Sequence, residues 1–182
     1  MPVPTRVPGR TPPAAGAGMI PPSSLTRYRT LVVEGHVGPG RDGLVGALAD
    51  LGFEVRRMPP ALHHLDPSLP YRELLDGPGR LAVDGNLIAE LVHGPLRRGR
   101  SRVTWMQALD LADAVAERDG AMLHLTTAED TEAATAYARV FRTLAQHVPV
   151  VTLDTGEPGR PIRAPAARPS QLWQNAGQLT IG

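Results

Sequence analysis

The chain has 182 residues, enough for one well-buried domain, and nineteen basic against eighteen acidic residues leave a net charge of +1, so no global field commits it to nucleic acid or to a membrane surface. Cysteine is absent and every basic side chain is arginine, which excludes disulfides, thiolate nucleophiles and lysine chemistry. No stretch approaches the ~20 apolar residues of a membrane span, and Met1 to Ser24 holds no apolar run suited to a signal sequence, so a cytoplasmic protein is expected.

In chain order, residues 1–27 are rich in Pro, Ala, Gly and Thr with little to bury and read as a flexible arm. Thr30 to Glu34 is a short, partly β-branched apolar run ending in Gly35, which suits a buried parallel strand. A glycine-rich turn, Gly35 to Gly43, follows, and then Leu44, Ala47, Leu48 and Leu51 recur at helical spacing up to Gly52. Phe53 to Arg57 and Arg80 to Asp84 are the next two strand candidates, the first halted by Pro59 and Pro60 and the second entered through Gly77-Pro78-Gly79. A helix is predicted over roughly Leu87 to His93, followed by an arginine-rich loop.

Trp105, Ala108, Leu109, Leu111, Ala112, Val115 and Ala116 predict a largely buried helix, and Ala121 to Thr126 a fourth strand. Thr127 with Asp130 reads as a capping box for a helix whose Ala133, Tyr137, Val140, Phe141 and Leu144 line one face. Val148 to Leu153 is the fifth strand. Strands alternating with helices imply an α/β three-layer sandwich over a five-stranded parallel sheet, spanning residues 28–155. Residues 156–182 form a Pro- and Arg-rich tail carrying Leu172, Trp173, Leu179 and Ile181, apolar groups suited to docking on the domain or on a partner.

A strand running into a glycine turn and then a helix is how a chain builds an anion site, because backbone N–H groups converge and the helix dipole favours negative charge. The spacing Gly35-x-x-Gly38-x-Gly40 fits that purpose, but a working phosphate loop needs Lys and then Ser or Thr next, where this chain has Arg41 and Asp42. His63-His64-x-Asp66 has the residue types of a metal site without the helical spacing that aims two imidazoles at one ion, and no metal site is assigned.

From Glu34 to Asp42 the chain resembles the E-G-x-D-G-x-G-K-[ST] loop of the thymidylate kinase-like branch of the P-loop nucleotide kinases, with Val37, Arg41 and Asp42 departing from it. Arg56-Arg57-Met58-Pro59 is similar to the family's monophosphate-site R-E-P segment. Asp84-Gly85-Asn86 lies where the family has D-R-[YFHW], with Gly85 in place of the arginine. Glu90-Leu91-Val92-His93-Gly94-Pro95-Leu96-Arg97-Arg98-Gly99-Arg100 looks like S-E-x-V-Y-G-P-x-x-R-G, with His93 for Tyr. Met122 to Thr126 resembles the strand before the family's arginine-bearing lid, yet Thr127 to Ala136 contains no basic residue.

The resemblance implies a P-loop kinase-like fold and a nucleotide site using Gly35, His36, Gly38, Gly40, Arg41 and Asp42, with Arg57, Glu90, His93, Arg97, Arg98 and Arg100 facing substrate. Phosphoryl transfer rests on positioned cations, and here the loop Lys, the D-R arginine and the lid arginines are missing. Asp42 beside a phosphate oxygen at ~4 Å would repel it by ~4 kcal/mol. The expectation is a catalytically degenerate protein that binds a nucleotide or a protein partner, or self-associates, with no firm cofactor. The alternative is a divergent deoxynucleoside monophosphate kinase using ATP and Mg²⁺, with Arg41 as phosphate cation, Asp42 or Asp84 on the metal, and Arg97, Arg98 or Arg100 replacing the lid. A second alternative is nucleic-acid binding through Arg97 to Arg102, disfavoured because no aromatic residue is interleaved there.

Overall fold

The computed structural model describes residues 22–58, 66–127 and 131–155. Five strands, β1 (Thr30–Gly35), β2 (Glu54–Arg57), β3 (Leu81–Asp84), β4 (Gly120–Thr126) and β5 (Val150–Asp154), form one parallel sheet in the order β2-β3-β1-β4-β5. Five helices accompany them: α1 (Pro39–Asp50), α2 (Leu69–Leu75), α3 (Leu87–Arg98), α4 (Trp105–Glu117) and α5 (Glu132–Leu144). The sheet is covered on both faces, which is why β1 is buried along its whole length and reads as a continuous apolar run.

Strand alternation divides the core. Leu31 and Val33 of β1, with Ala121, Leu123 and Leu125 of β4, face Leu44 and Leu48 of α1. Val32 of β1 and Met122 of β4 face the opposite layer, where α2 to α5 contribute Tyr71, Leu91, Leu111, Tyr137 and Phe141. The helix after β1 thus lies on one face and the helix after β4 on the other, while the two strands are neighbours in the sheet. A crevice therefore opens between their carboxyl ends, the place where open α/β sheets bind ligands.

Several elements depart from the sequence reading. Residues 22–27, placed in the arm, form a 3₁₀ turn whose Leu25 is 2 % exposed and packs in the α1 layer, so ordered chain begins before Tyr28. Helix α1 starts at Pro39, inside the glycine turn, because proline's fixed φ suits a first helical position. The short α2 was not anticipated; only Tyr71 and Leu75 of it are buried. Helix α3 continues through Pro95 to Arg98 and ends on Gly99 at φ +71°, so Arg97 and Arg98 belong to a helix rather than a loop. Trp105 is 45 % exposed at the start of α4, where Thr104 and Gln107 form a capping box, and burial falls on Ala108, Leu111, Ala112 and Val115. The residue capping α5 is Thr131, which accepts the Ala134 N–H at 3.1 Å; this leaves Thr127 outside the helix. Among the described residues, no helix is long and apolar enough to cross a membrane. His63, His64, Asp130 and the 156–182 tail lie outside the described residues.

Candidate functional site

The glycine turn is shorter than its sequence suggests. Only His36, Val37 and Gly38 separate β1 from α1, and the Arg41 and Asp42 N–H groups both go to the Gly38 carbonyl, at 2.9 and 3.4 Å. Two donors that an anion-binding nest would aim inward are thus used to start the helix. Gly40 is required for another reason: a Cβ there would lie 2.7 Å from the Thr155 Cβ and 2.8 Å from its carbonyl oxygen. Thr155 is held in that position by two bonds to the Thr126 carbonyl, from its N–H at 2.9 Å and its hydroxyl at 3.0 Å. Asp42 is exposed on the first turn of α1, where a carboxylate complements the helix dipole.

On the β3 side of β1 lies a closed polar cluster. Arg41 is only 8 % exposed and its guanidinium turns into the strand ends, donating to Asp84 Oδ1 at 2.7 Å, to the Val33 carbonyl at 2.9 Å, to the Gly35 carbonyl at 3.4 Å and to the Gly85 carbonyl. Exposed Arg57 stands 3.9 Å from Asp84 Oδ2, at a distance and exposure where an ion pair adds little. Beside Arg41, Glu34 is completely buried and accepts the Tyr71 hydroxyl at 2.9 Å and the N–H groups of Leu87, Ile88 and Ala89 at the start of α3. Tyr71 Oη in turn accepts from Asn86 and Leu87 N–H, at 2.5 and 2.7 Å. Burial pushes the Glu34 carboxyl above its ordinary pKa, against the lowering effect of the Arg41 charge and of these hydrogen bonds. Gly85 is what permits the cluster, since a Cβ there would lie 2.6 Å from Glu34 Oε1 and 2.7 Å from Tyr71 Oη.

On the β4 side of β1 is a cleft of about 250 Å³. Gly35 and His36 form one lip, α3 contributes His93 and Arg97, β4 and the turn after it contribute His124 to Thr127, and the first turns of α5 supply Thr131 and Tyr137. Gly35 holds a positive φ of +109°, and a Cβ on it would meet the Leu125 carbonyl oxygen at 2.4 Å, so the floor between β1 and β4 closes only around glycine. His124 is buried and stacks on Phe141 with centroids 4.2 Å apart; burial lowers its pKa to about 4, so it is a neutral imidazole at pH 7. Burial, with the nearby Arg97 charge, also lowers the pKa of His93, whose ring meets Tyr137 edge-on at 5.6 Å. Tyr137 is 5 % exposed, burial raises its pKa, and its hydroxyl has no hydrogen-bond partner among the described residues.

Of the residues singled out in the sequence, Gly35, His36, His93 and Arg97 come together in this cleft. Arg41 and Asp84, with Arg57 beyond them, gather on the other side of β1. Glu90 and Arg98 pair with each other, and Glu90 also accepts the Arg102 N–H at 2.9 Å; these partners outweigh burial and hold its pKa below the ordinary value. Arg100 is exposed beyond the end of α3. The sequence reading missed Glu34 and Tyr71 as a buried unit and His124, Thr131 and Tyr137 as cleft residues. A histidine inside Met122-Leu123-His124-Leu125 and a phenol on the same helical stripe as Phe141 were the signals. No family model matches the chain, and comparisons with curated proteins and with solved structures find no match.

Proposed function

We propose that this chain is a degenerate relative of the thymidylate kinase-like P-loop proteins that acts by binding rather than by phosphoryl transfer. The observation that carries the reading is the position of Arg41. In the alignment suggested by the sequence, it is the loop cation, and its guanidinium is committed to Asp84 and three carbonyls. Drawing it toward a triphosphate would leave Asp84, with 19 % of its side chain exposed, without its close cation, a loss of the order of 3–5 kcal/mol for a buried pair. Gly85 carries no side chain where the family places its second cation, and Arg98 is engaged by Glu90. Among the described residues Arg97 is the one cation lining the cleft, and one cation is a poor substitute where removal of a single preorganised donor typically costs ~10²- to 10³-fold in rate.

The test is an assay of ATP- and Mg²⁺-dependent phosphorylation of deoxynucleoside monophosphates, run beside calorimetric titration with ATP and dTTP. No transfer above the uncatalysed rate and no saturable triphosphate binding near 1 mM are expected. Turnover that disappears in Arg41→Ala would overturn the reading.

A further inference from the structure

Between Arg97 and Met106 the chain carries four arginines and no carboxylate. The carboxylate that reaches this stretch, Glu90, is taken by the Arg98 guanidinium and by the Arg102 N–H at 2.9 Å. Arg97, Arg100 and Arg102 are exposed, with no carboxylate at ion-pairing distance among the described residues. The backbone that carries them is fixed. Ser101 Oγ donates to the Glu90 carbonyl at 3.3 Å and accepts the Val103 N–H at 3.0 Å, and Val103 is 2 % exposed. Gly94 lets the loop lie against α3, since a Cβ there would stand 2.8 Å from the Ser101 Cα and 3.0 Å from the Arg100 carbonyl oxygen. Immediately after the loop Trp105 opens α4 with 45 % of its surface exposed, on a first turn held by the Thr104–Gln107 capping box. Burial on α4 begins only at Ala108, so the indole is left half in water. The aromatic group that the arginine run lacks therefore stands at its end, three residues from Arg102, and the acidic Asp110 and Asp113 follow only a turn or more further along α4.

We propose that the connection between α3 and α4 is a docking surface for single-stranded nucleic acid, with Arg97, Arg100 and Arg102 on its phosphates and Trp105 stacked on an unpaired base. Guanidinium groups meet phosphate oxygens through paired N–H donors, and an exposed indole accepts the face of any base, so the recognition is tolerant of sequence. A loop pinned to α3 loses little freedom when a strand is bound, which lowers the cost of association. In a duplex the bases are already stacked and Trp105 would go unused. With a net charge of only +1 on the whole chain, the attraction is local and the affinity modest. The assignment goes beyond the reading that the chain binds rather than transfers, because it names a partner and a surface outside the glycine turn.

Trp105 and Trp173 are the two tryptophans, so the full chain carrying Trp173→Phe reports on Trp105 alone by fluorescence. It is titrated with oligothymidylate of about twelve nucleotides and with an abasic strand of the same length, which keeps the phosphates and removes the bases. Saturable quenching by oligothymidylate is expected, with Kd about 10⁻⁴–10⁻⁶ M and a slope of log K against log salt of about −2, from about 0.7 for each of three phosphates neutralised. The abasic strand should bind more weakly. Trp105→Ala, followed by the anisotropy of a labelled strand, should weaken binding about five- to a hundredfold, and Trp105→Phe should keep most of it. Arg100→Gln combined with Arg102→Gln should bring the slope to about −0.7. No saturable binding at low salt, equal affinity for the abasic strand, or a Trp105→Ala variant that binds as well as the parent would overturn the assignment. Tighter binding to phosphatidylserine vesicles than to the strand would overturn it in favour of a membrane surface. The two readings fail separately. ATP-dependent phosphoryl transfer by a protein that still binds the strand would end the binding-only account and keep this surface, whereas an inactive protein that does not bind the strand would remove this surface alone.

Discussion

The two flanks of β1 use polar side chains in opposite ways. Toward β3, Glu34, Tyr71, Arg41 and Asp84 satisfy one another and the backbone at the ends of the strands and the start of α3. Toward β4, the Tyr137 hydroxyl has no partner and Arg97 no carboxylate among the described residues, and a cleft separates the walls. A buried polar network rigidifies when each member is satisfied, and it is also closed to a ligand, because any newcomer must break existing bonds. The difference teaches that residue types alone do not locate chemistry: Arg41 and Asp84, two residues that carry the resemblance to a catalytic motif, are consumed in structure.

The largest effect should come from opening the closed flank. Arg41→Ala leaves Asp84 with only the distant, exposed Arg57 and removes a donor from the Val33 and Gly85 carbonyls, and urea denaturation should show a loss of about 3–5 kcal/mol. A change under 1 kcal/mol would mean that the cluster is looser than described. Restoring the arginine of the resembled D-R motif by Gly85→Arg should cost about 1–3 kcal/mol through overpacking against Glu34 and Tyr71, and should leave phosphoryl transfer undetectable.

The pH dependence sharpens the contrast further. Because the folded-state pKa of Glu34 is raised, the native state holds this proton more tightly than the unfolded chain does. Its contribution to stability is therefore fullest below about pH 4.5 and declines as the pH rises through the folded pKa. Glu90 has the opposite sign: its contribution is present above its ordinary pKa and is lost as the pH falls through the lowered one. Stability curves of Glu34→Gln and the parent chain should converge toward higher pH, after allowance for a constant offset from the replaced hydrogen bonds. A constant difference from pH 4 to 8 would contradict the raised pKa.

The smallest effect should fall on the open flank and run the other way. Tyr137→Phe removes a buried hydroxyl that bonds to nothing described, so thermal unfolding should show a gain of about 1 kcal/mol. A comparable loss would show that the hydroxyl has a partner in the free protein.

Strands β1, β3, β4 and β5 are legible in the sequence as short apolar runs, which a parallel sheet covered on both faces demands, whereas the polar edge strand β2 is legible from its bounds, Gly52 before it and Pro59-Pro60 after it. Helix boundaries are less legible where two signals compete. Pro39 and Gly40 read as loop, yet proline is favoured at a first helical position and Gly40 is required by Thr155. Thr127 and Thr131 both suit an N-cap, and the observed helix puts its cap at Thr131. The exposure of Trp105 escaped notice because an apolar stripe does not show where its helix begins to meet the core.

Half of the cleft is readable from motif positions, in Gly35, His36, His93 and Arg97. The other half is not, because His124 occupies a strand alternation and Tyr137 a helical stripe that packing alone explains. What sets these two apart is the burial of a polar group beside a cavity, a property of the assembled fold. The same holds for Arg41, whose inward turn depends on β3 ending beside β1 with Asp84 at the right register, opposite Val33.

The contrast between the flanks can be measured directly by following the exchange of arginine Nε–H protons with water in ¹⁵N-labelled protein. The account predicts that the Arg41 Nε–H, locked on Asp84 at 2.7 Å, exchanges slowly while that of exposed Arg97 exchanges rapidly. Exchange of Arg41 as rapid as that of Arg97 would contradict it, and would free the Arg41 guanidinium to turn toward the glycine turn.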